Sequence, residues 1–174
     1  MKFFLISFAC LIMIFGSCKK QTGIGTGNNI ITATVDGVDV NFSTDAFAYI
    51  SVDSIYEYHY SLVINGGTGT SNHRASITFS VVSKNAITSG IFPSSDTSPG
   101  AVTFSQIIYE QAIPGSQLTQ PYITNNLVTN STTITISTIS STHVQGTFSG
   151  ALINSIDGKT AKTVTNGKFD LAIK

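Results

Sequence analysis

The sequence predicts an all-β body, an antiparallel β-sandwich (or partly closed barrel) of about nine or ten strands. Three observations predict it. Thr, Val, Ile, Phe and Tyr are plentiful, and these residues suit a pleated, half-buried surface. Short apolar/polar alternations recur between turn pairs such as Asp36-Gly37, Ser140-Ser141 and Asp157-Gly158. After the N-terminal segment, no 3.6-residue periodicity runs long enough to specify a helix, and no repeat of solenoid length occurs.

The N-terminal segment is not a fold element. Met1-Lys2 opens an apolar run from Phe3 to Phe15 that only Ser7 interrupts. The run is too short for the ~20 residues a spanning helix needs, and it suits the apolar region of an export signal. It closes on Phe15-Gly16-Ser17-Cys18, and two small residues before a cysteine resemble a lipobox. Residues 1–17 are therefore expected to be a lipoprotein signal peptide, with Cys18 lipidated. The other cysteine, Cys10, leaves with the signal, so the mature chain has no free thiol and no disulfide. A single acyl chain holds a membrane only marginally, whereas a diacylated cysteine anchors stably. Residues 18–29, rich in Gly and polar side chains, read as a flexible tether, and residues 30–174 as the β-domain.

Ile30 to Val35 and Val38 to Phe42 flank Asp36-Gly37, the signature of a two-residue hairpin. Ala46 to Val52 reads as a third strand. In Ile55 to Asn65, Tyr56, Tyr58, Tyr60, Leu62 and Ile64 share one face, while Glu57, His59 and Ser61 share the other. The Tyr stripe reads as core. Gly66-Gly67-Thr68-Gly69 reads as a mobile tip. Arg74 to Val82 sets Ala75, Ile77, Phe79 and Val81 opposite Ser76, Thr78 and Ser80. Ser89 to Phe92 is a short strand or edge segment, Ala101 to Tyr109 a strand, and Glu110 to Ser131 the least regular stretch. Thr132 to Ile139, His143 to Ile153 and Lys162 to Ile173 complete the set. In the last, Phe169, Leu171 and Ile173 face in, and Lys168, Asp170 and Lys174 face out. Gly146 and Gly150, on the Phe148 face, predict close backbone approach or room for a bulky neighbour, for which a Tyr of the stripe is one candidate.

Composition excludes some functions. Charged residues are 10% of the chain and the formal net charge is zero. From Ile30 onward six Lys/Arg face nine Asp/Glu, so no cationic stripe exists for nucleic acid. His59, His73 and His143 form no local ligand pair, and neither a metal site nor a cofactor is expected. Glu57 and Glu110 are the only glutamates, and no Gly-x-Ser-x-Gly elbow occurs, so no catalytic residue is assigned.

The chain resembles a broad class of uncharacterised lipoproteins of the Bacteroidota. The likeness rests on Cys18-Lys19-Lys20, on Ile31-Thr32-Ala33-Thr34-Val35-Asp36-Gly37, and on Val144-Gln145-Gly146-Thr147-Phe148-Ser149-Gly150 followed by Val164-Thr165-Asn166-Gly167-Lys168-Phe169. The resemblance implies an all-β fold and a cell-envelope location, with no activity. Surface-exposed lipoproteins of that phylum often carry acids soon after the cysteine. Lys19-Lys20-Gln21-Thr22 carries none, which favours the periplasmic side. Asp53-Ser54-Ile55 is similar to the O-glycosylation signal of those bacteria, with Ser54 as acceptor.

The expected function is thus a non-catalytic, monomeric binding or structural module, anchored to a bacterial membrane by its N-terminal lipid. Its ligand would be a glycan or a protein. Its ligand contacts are expected on the loops 66–72 and 110–131, with Tyr122 and Gln117 as the side chains. The alternatives are a small apolar-ligand carrier with a lipocalin-like cavity, and a hydrolase.

Overall fold

The structure, a computed structural model, describes residues 28–53, 59–69, 74–94, 103–116, 118–125, 128, 130–159 and 161–174. Among them are eleven strands and no helix. They are β1 (Ile30–Val35), β2 (Val38–Asn41), β3 (Thr44–Val52), β4 (Tyr60–Gly67), β5 (Ser76–Ser83), β6 (Gly90–Pro93), β7 (Thr103–Ala112), β8 (Thr119–Thr124), β9 (Thr132–Ile139), β10 (His143–Asn154) and β11 (Ala161–Ala172). All ladders between them are antiparallel, in the order β2-β1-β11-β10-β8-β7-β5-β4-β3, with β9 also on β10 and β6 on β9.

The long strand β10 organises the molecule because it forks. Val144 to Gly150 pair with β9, and Leu152 to Asn154 pair with β8. One wing is therefore β6-β9-β10-β11-β1-β2, and the other is β10-β8-β7-β5-β4-β3. The wings pack face to face through their alternate residues. Phe79 of β5 meets Phe148 of β10 at 4.6 Å and Phe169 of β11 at 5.1 Å between ring centroids. Phe42 sits edge-on to Tyr109 at 6.0 Å. Burying each such ring is worth about 1.5–3 kcal/mol. The sheet is not closed into a barrel. Its last strand, β3, returns to β11 at an isolated bridge between Ala48 and Ile173, where the Lys174 N–H donates to the Ala48 carbonyl at 2.9 Å. The architecture is all-β and sandwich-like.

Local chemistry explains most boundaries. Asp36 and Gly37 both take positive φ, 50° and 83°, as the tight hairpin between Val35 and Val38 demands. Asn154 ends β10 by accepting the N–H of Ile156 at 2.8 Å and of Asp157 at 3.2 Å on its side-chain oxygen. The fork is sealed by buried hydroxyls. Thr124 Oγ1 accepts from the Ile107 N–H at 2.7 Å and donates to the Ile107 carbonyl at 3.2 Å, replacing a β8 backbone that has turned away. Thr132 Oγ1 lies 3.2 Å from Thr124 Oγ1, and Ser94 N–H donates to the Thr132 carbonyl at 2.9 Å.

Three sequence expectations need correction. The stretch Glu110 to Ser131 holds the end of β7 and all of β8, a strand that the sequence reading leaves out. Pro121 disguises it, and Pro121 is tolerated because it lies one residue beyond the β8–β10 ladder. Gly66 and Gly67 are not a mobile tip but the buried end of β4. A side chain at Gly66 would collide with the Phe42 carbonyl, and the guanidinium of Arg74 lies against Gly67, so both glycines serve close approach. The space beside Gly146 is taken by the Phe169 ring and the Thr135 carbonyl, and the space beside Gly150 by Thr132. No described Tyr fills either.

Candidate functional site

The outer face of the first wing is a grid of short polar side chains. Each strand there alternates a buried residue with one that points out. Register then aligns the outward residues in rows. One row runs Thr135, Thr147, Lys168, Thr32, Asn41 across β9, β10, β11, β1 and β2. Beside it lie Thr133, Ser149, Asn166, Thr34 and Asp39. Neighbouring strands stand about 4.8 Å apart, so the grid presents hydroxyls and amides at close, regular spacing.

Two bulges turn this flat face into a relief. β11 carries one extra residue around Thr165–Gly167 against both β1 and β10. Asn166 occupies the kink at φ 52°, and a side chain at Gly167 would meet the Phe148 carbonyl. β9 carries a second extra residue at Ser137 against β10. Bulges bend a strand and re-aim its side chains. Three open hollows follow. The largest, about 480 Å³, lies between Thr32, Thr34, Asp39, Asn41, Asn166 and Lys168. A second, about 290 Å³, is bounded by Thr32, Ser137, Gln145, Lys168 and Asp170. A third, about 300 Å³, is bounded by Thr133, Thr135, Thr147, Ser149, Asn166 and Lys168. Lys168 borders all three and is the central cation of the face.

Hydrogen bonds fix the margins of the grid. Thr34 Oγ1 donates to Asp39 at 2.7 Å, and the Asn166 amide donates to Thr34 Oγ1 at 3.4 Å. At the upper margin Asp170 gathers three donors. They are His143 Nε2 at 2.8 Å, the Asn28 amide at 2.8 Å and the Asn28 N–H at 3.3 Å. The His143 contact, with help from Asn28, holds the Asp170 carboxyl below the usual carboxylate range against the opposing effect of burial. Ser137 donates to the Gln145 carbonyl at 3.0 Å, so its hydroxyl is engaged by backbone. The chemistry on offer is hydrogen bonding, one ammonium charge and the carboxylates of Asp39 and Asp170 at the rims.

The residues singled out from sequence fall elsewhere. Tyr122 is 3% exposed and faces inward from β8, stacked on Tyr109 at 6.1 Å with the Lys162 ammonium 5.5 Å over its ring. A ring so enclosed is no surface contact on irregular backbone, which corrects that expectation. Burial raises the Tyr109 phenol above its ordinary value. Lys162 in turn pairs with Asp36 at 2.7 Å, a contact that lowers the carboxyl and raises the ammonium. Cys18, Ser54 and Gln117 lie outside the described residues, as do Tyr56, Tyr58, Glu57 and His73. Of the Tyr stripe, Tyr60 is half-buried, and the next two residues of its face, Leu62 and Ile64, are core. His143 is half-buried and bound to Asp170, not a bare edge residue. Sequence reasoning missed the grid itself. Its signal was present in the Thr-x-Thr and Thr-x-Ser spacings of β1, β9 and β10, which place hydroxyls on one face.

Among the described residues, no three His, Cys, Asp or Glu side chains gather as a metal site. No helix there is long and apolar enough to cross a membrane. Fold and face together define a sandwich-like all-β domain that presents a polar, indented sheet surface. No protein-family model matches the chain, and neither a curated protein nor a solved structure matches it.

Proposed function

We propose that the chain is a non-catalytic cell-envelope lipoprotein, held on the periplasmic side by lipid on Cys18, whose β-domain is a monomeric binding module. The signal-like run ending in Gly16-Ser17-Cys18 supports the anchor. The binding reading is carried by one observation: three hollows converge on Lys168 in a face of hydroxyls and amides rimmed by the Asp39 and Asp170 carboxylates. Such a face exchanges hydrogen bonds with a hydroxyl-rich ligand without burying unpaired charge. It therefore fits a neutral or sparsely anionic glycan. The filled centre between the wings, occupied by Phe79, Phe148 and Phe169, favours this over a carrier with an apolar cavity.

The test is a screen of immobilised glycans, followed by calorimetry on any hit with wild type, Lys168→Ala and Thr147→Val. Lys168 and Thr147 are outward residues of the grid, and such surface changes leave stability within about 0.5 kcal/mol. Loss of two or three hydrogen bonds predicts affinity lower by roughly 10-fold or more per variant. Equal binding by both variants removes the face from the reading, and no hit on any glycan removes the ligand class.

A further inference from the structure

The geometry points to the C-terminal end of β3 as a second contact with the membrane, made by Tyr49, Ile50 and Val52 with Lys174 beside them. It rests on the lipid-anchor reading above and adds to it a surface that sets the domain's orientation.

Strand directions locate this end. β11 ends at Ala172, and at the parallel Ala48–Ile173 bridge just beyond it β3 runs in the same direction, so Tyr49 to Val52 lie past the end of β11. They pair with Tyr60 to Val63 of β4 and keep large apolar surfaces in solvent: Tyr49 is 40% exposed, Ile50 36% and Val52 67%. No charged residue interrupts Ala46 to Val52. Asp45 and Asp53 flank this run and bound the apolar stretch on either side.

The tether enters at the same corner. Asp170 holds Asn28 through both its side chain and its N–H, and the Ala172 N–H donates to the Asn29 side chain at 3.2 Å. Ala172 is two residues from the Lys174 that caps Ala48. Nine residues lie between Cys18 and Asn28. The reach of that stretch is at most about 35 Å. An anchor of that length keeps this corner, rather than the far end, against the bilayer. Tyr suits the headgroup level, where its ring is apolar on one side and wet on the other. The Lys174 ammonium, 5.2 Å over the Phe47 ring, adds a cation at the height where anionic headgroups lie. Other exposed apolar residues serve as internal controls. Val38, beside the β1–β2 turn, and Ile156, in the β10–β11 turn, lie at the opposite end of the strands.

The test uses the full lipidated chain bound to phosphatidylethanolamine/phosphatidylglycerol vesicles. An environment-sensitive fluorophore is placed at Val52→Cys or, separately, at Ile156→Cys. Both sites are exposed, so neither substitution disturbs the fold. The emission at position 52 is expected to shift to the blue and to be quenched by spin-labelled lipid, while that at position 156 stays unchanged. Mass spectrometry of the same preparation reads the state of Cys18. An acylated, vesicle-bound chain whose position-52 probe remains in water overturns the contact and leaves the anchor standing. A chain with a free thiol at Cys18 overturns the anchor, and the contact falls with it.

Discussion

Asp170 shows how much one outward carboxylate organises. It receives His143 from β10 and Asn28 from just before β1, and it borders the second hollow. Its folded pKa is lowered, first by His143 and then by Asn28. A carboxyl lowered on folding stabilises above its unfolded pKa of about 3.9, and that contribution disappears as pH falls through the folded value. Asp170→Asn is therefore expected to unfold at a lower urea concentration than wild type at pH 6, with the two curves converging below about pH 4. A difference that persists unchanged at pH 2.5 would show that the carboxylate charge is not what matters. Gly146 illustrates the limit of reading single residues. Its spacing from Phe148 announced a close neighbour, but the neighbour is Phe169 from the next strand. Only the register of β10 against β11 decides that.

At the scale of elements, the strands that alternate cleanly were legible. β5 buries Ile77, Phe79 and Val81, and β11 buries Phe169 and Leu171, as their period of two demanded. The Asp36-Gly37 hairpin was legible because only left-handed residues close that turn. β8 was not, because a six-residue strand interrupted by Pro121 looks like loop until its ladders to β7 and β10 are known. The face around Lys168 was hidden for the same reason. Its rows combine residues up to 136 positions apart, as with Thr32 and Lys168, and its hollows come from bulges that no local pattern marks. The fork in β10 gives a prediction at this scale. Thr124→Val keeps shape but removes the hydroxyl that serves both the N–H and the carbonyl of Ile107. Thr124 is 1% exposed, so water cannot substitute. A loss of about 1–3 kcal/mol is expected in chemical denaturation, the cost of stranding buried polar groups. A change under about 0.5 kcal/mol would mean that the fork is held by packing alone.

For the whole molecule, β11 is the keystone because it joins the two ends of the chain. It lies between β1, which begins at Ile30, and β10, and it supplies Val164, Phe169 and Leu171 to the core. Without it, β1 and β2 are an isolated hairpin, and such a hairpin is at best marginal in water. β10 would also present an unpaired edge from His143 to Ile153. Deleting residues 161–174 is therefore expected to abolish the cooperative thermal transition, not merely to lower its midpoint. Phe79 and Phe148 would face a void where the Phe169 ring had been, and losing one such ring costs about 3–5 kcal/mol before any backbone pairing is counted. That is a large share of the 5–15 kcal/mol typical of a domain. The shortened chain, mixed with a synthetic peptide of residues 161–174, should regain part of the transition, because the peptide restores both ladders at once. Cooperative melting of the shortened chain alone would show that β10 and the second wing fold without the strand that ties the termini together.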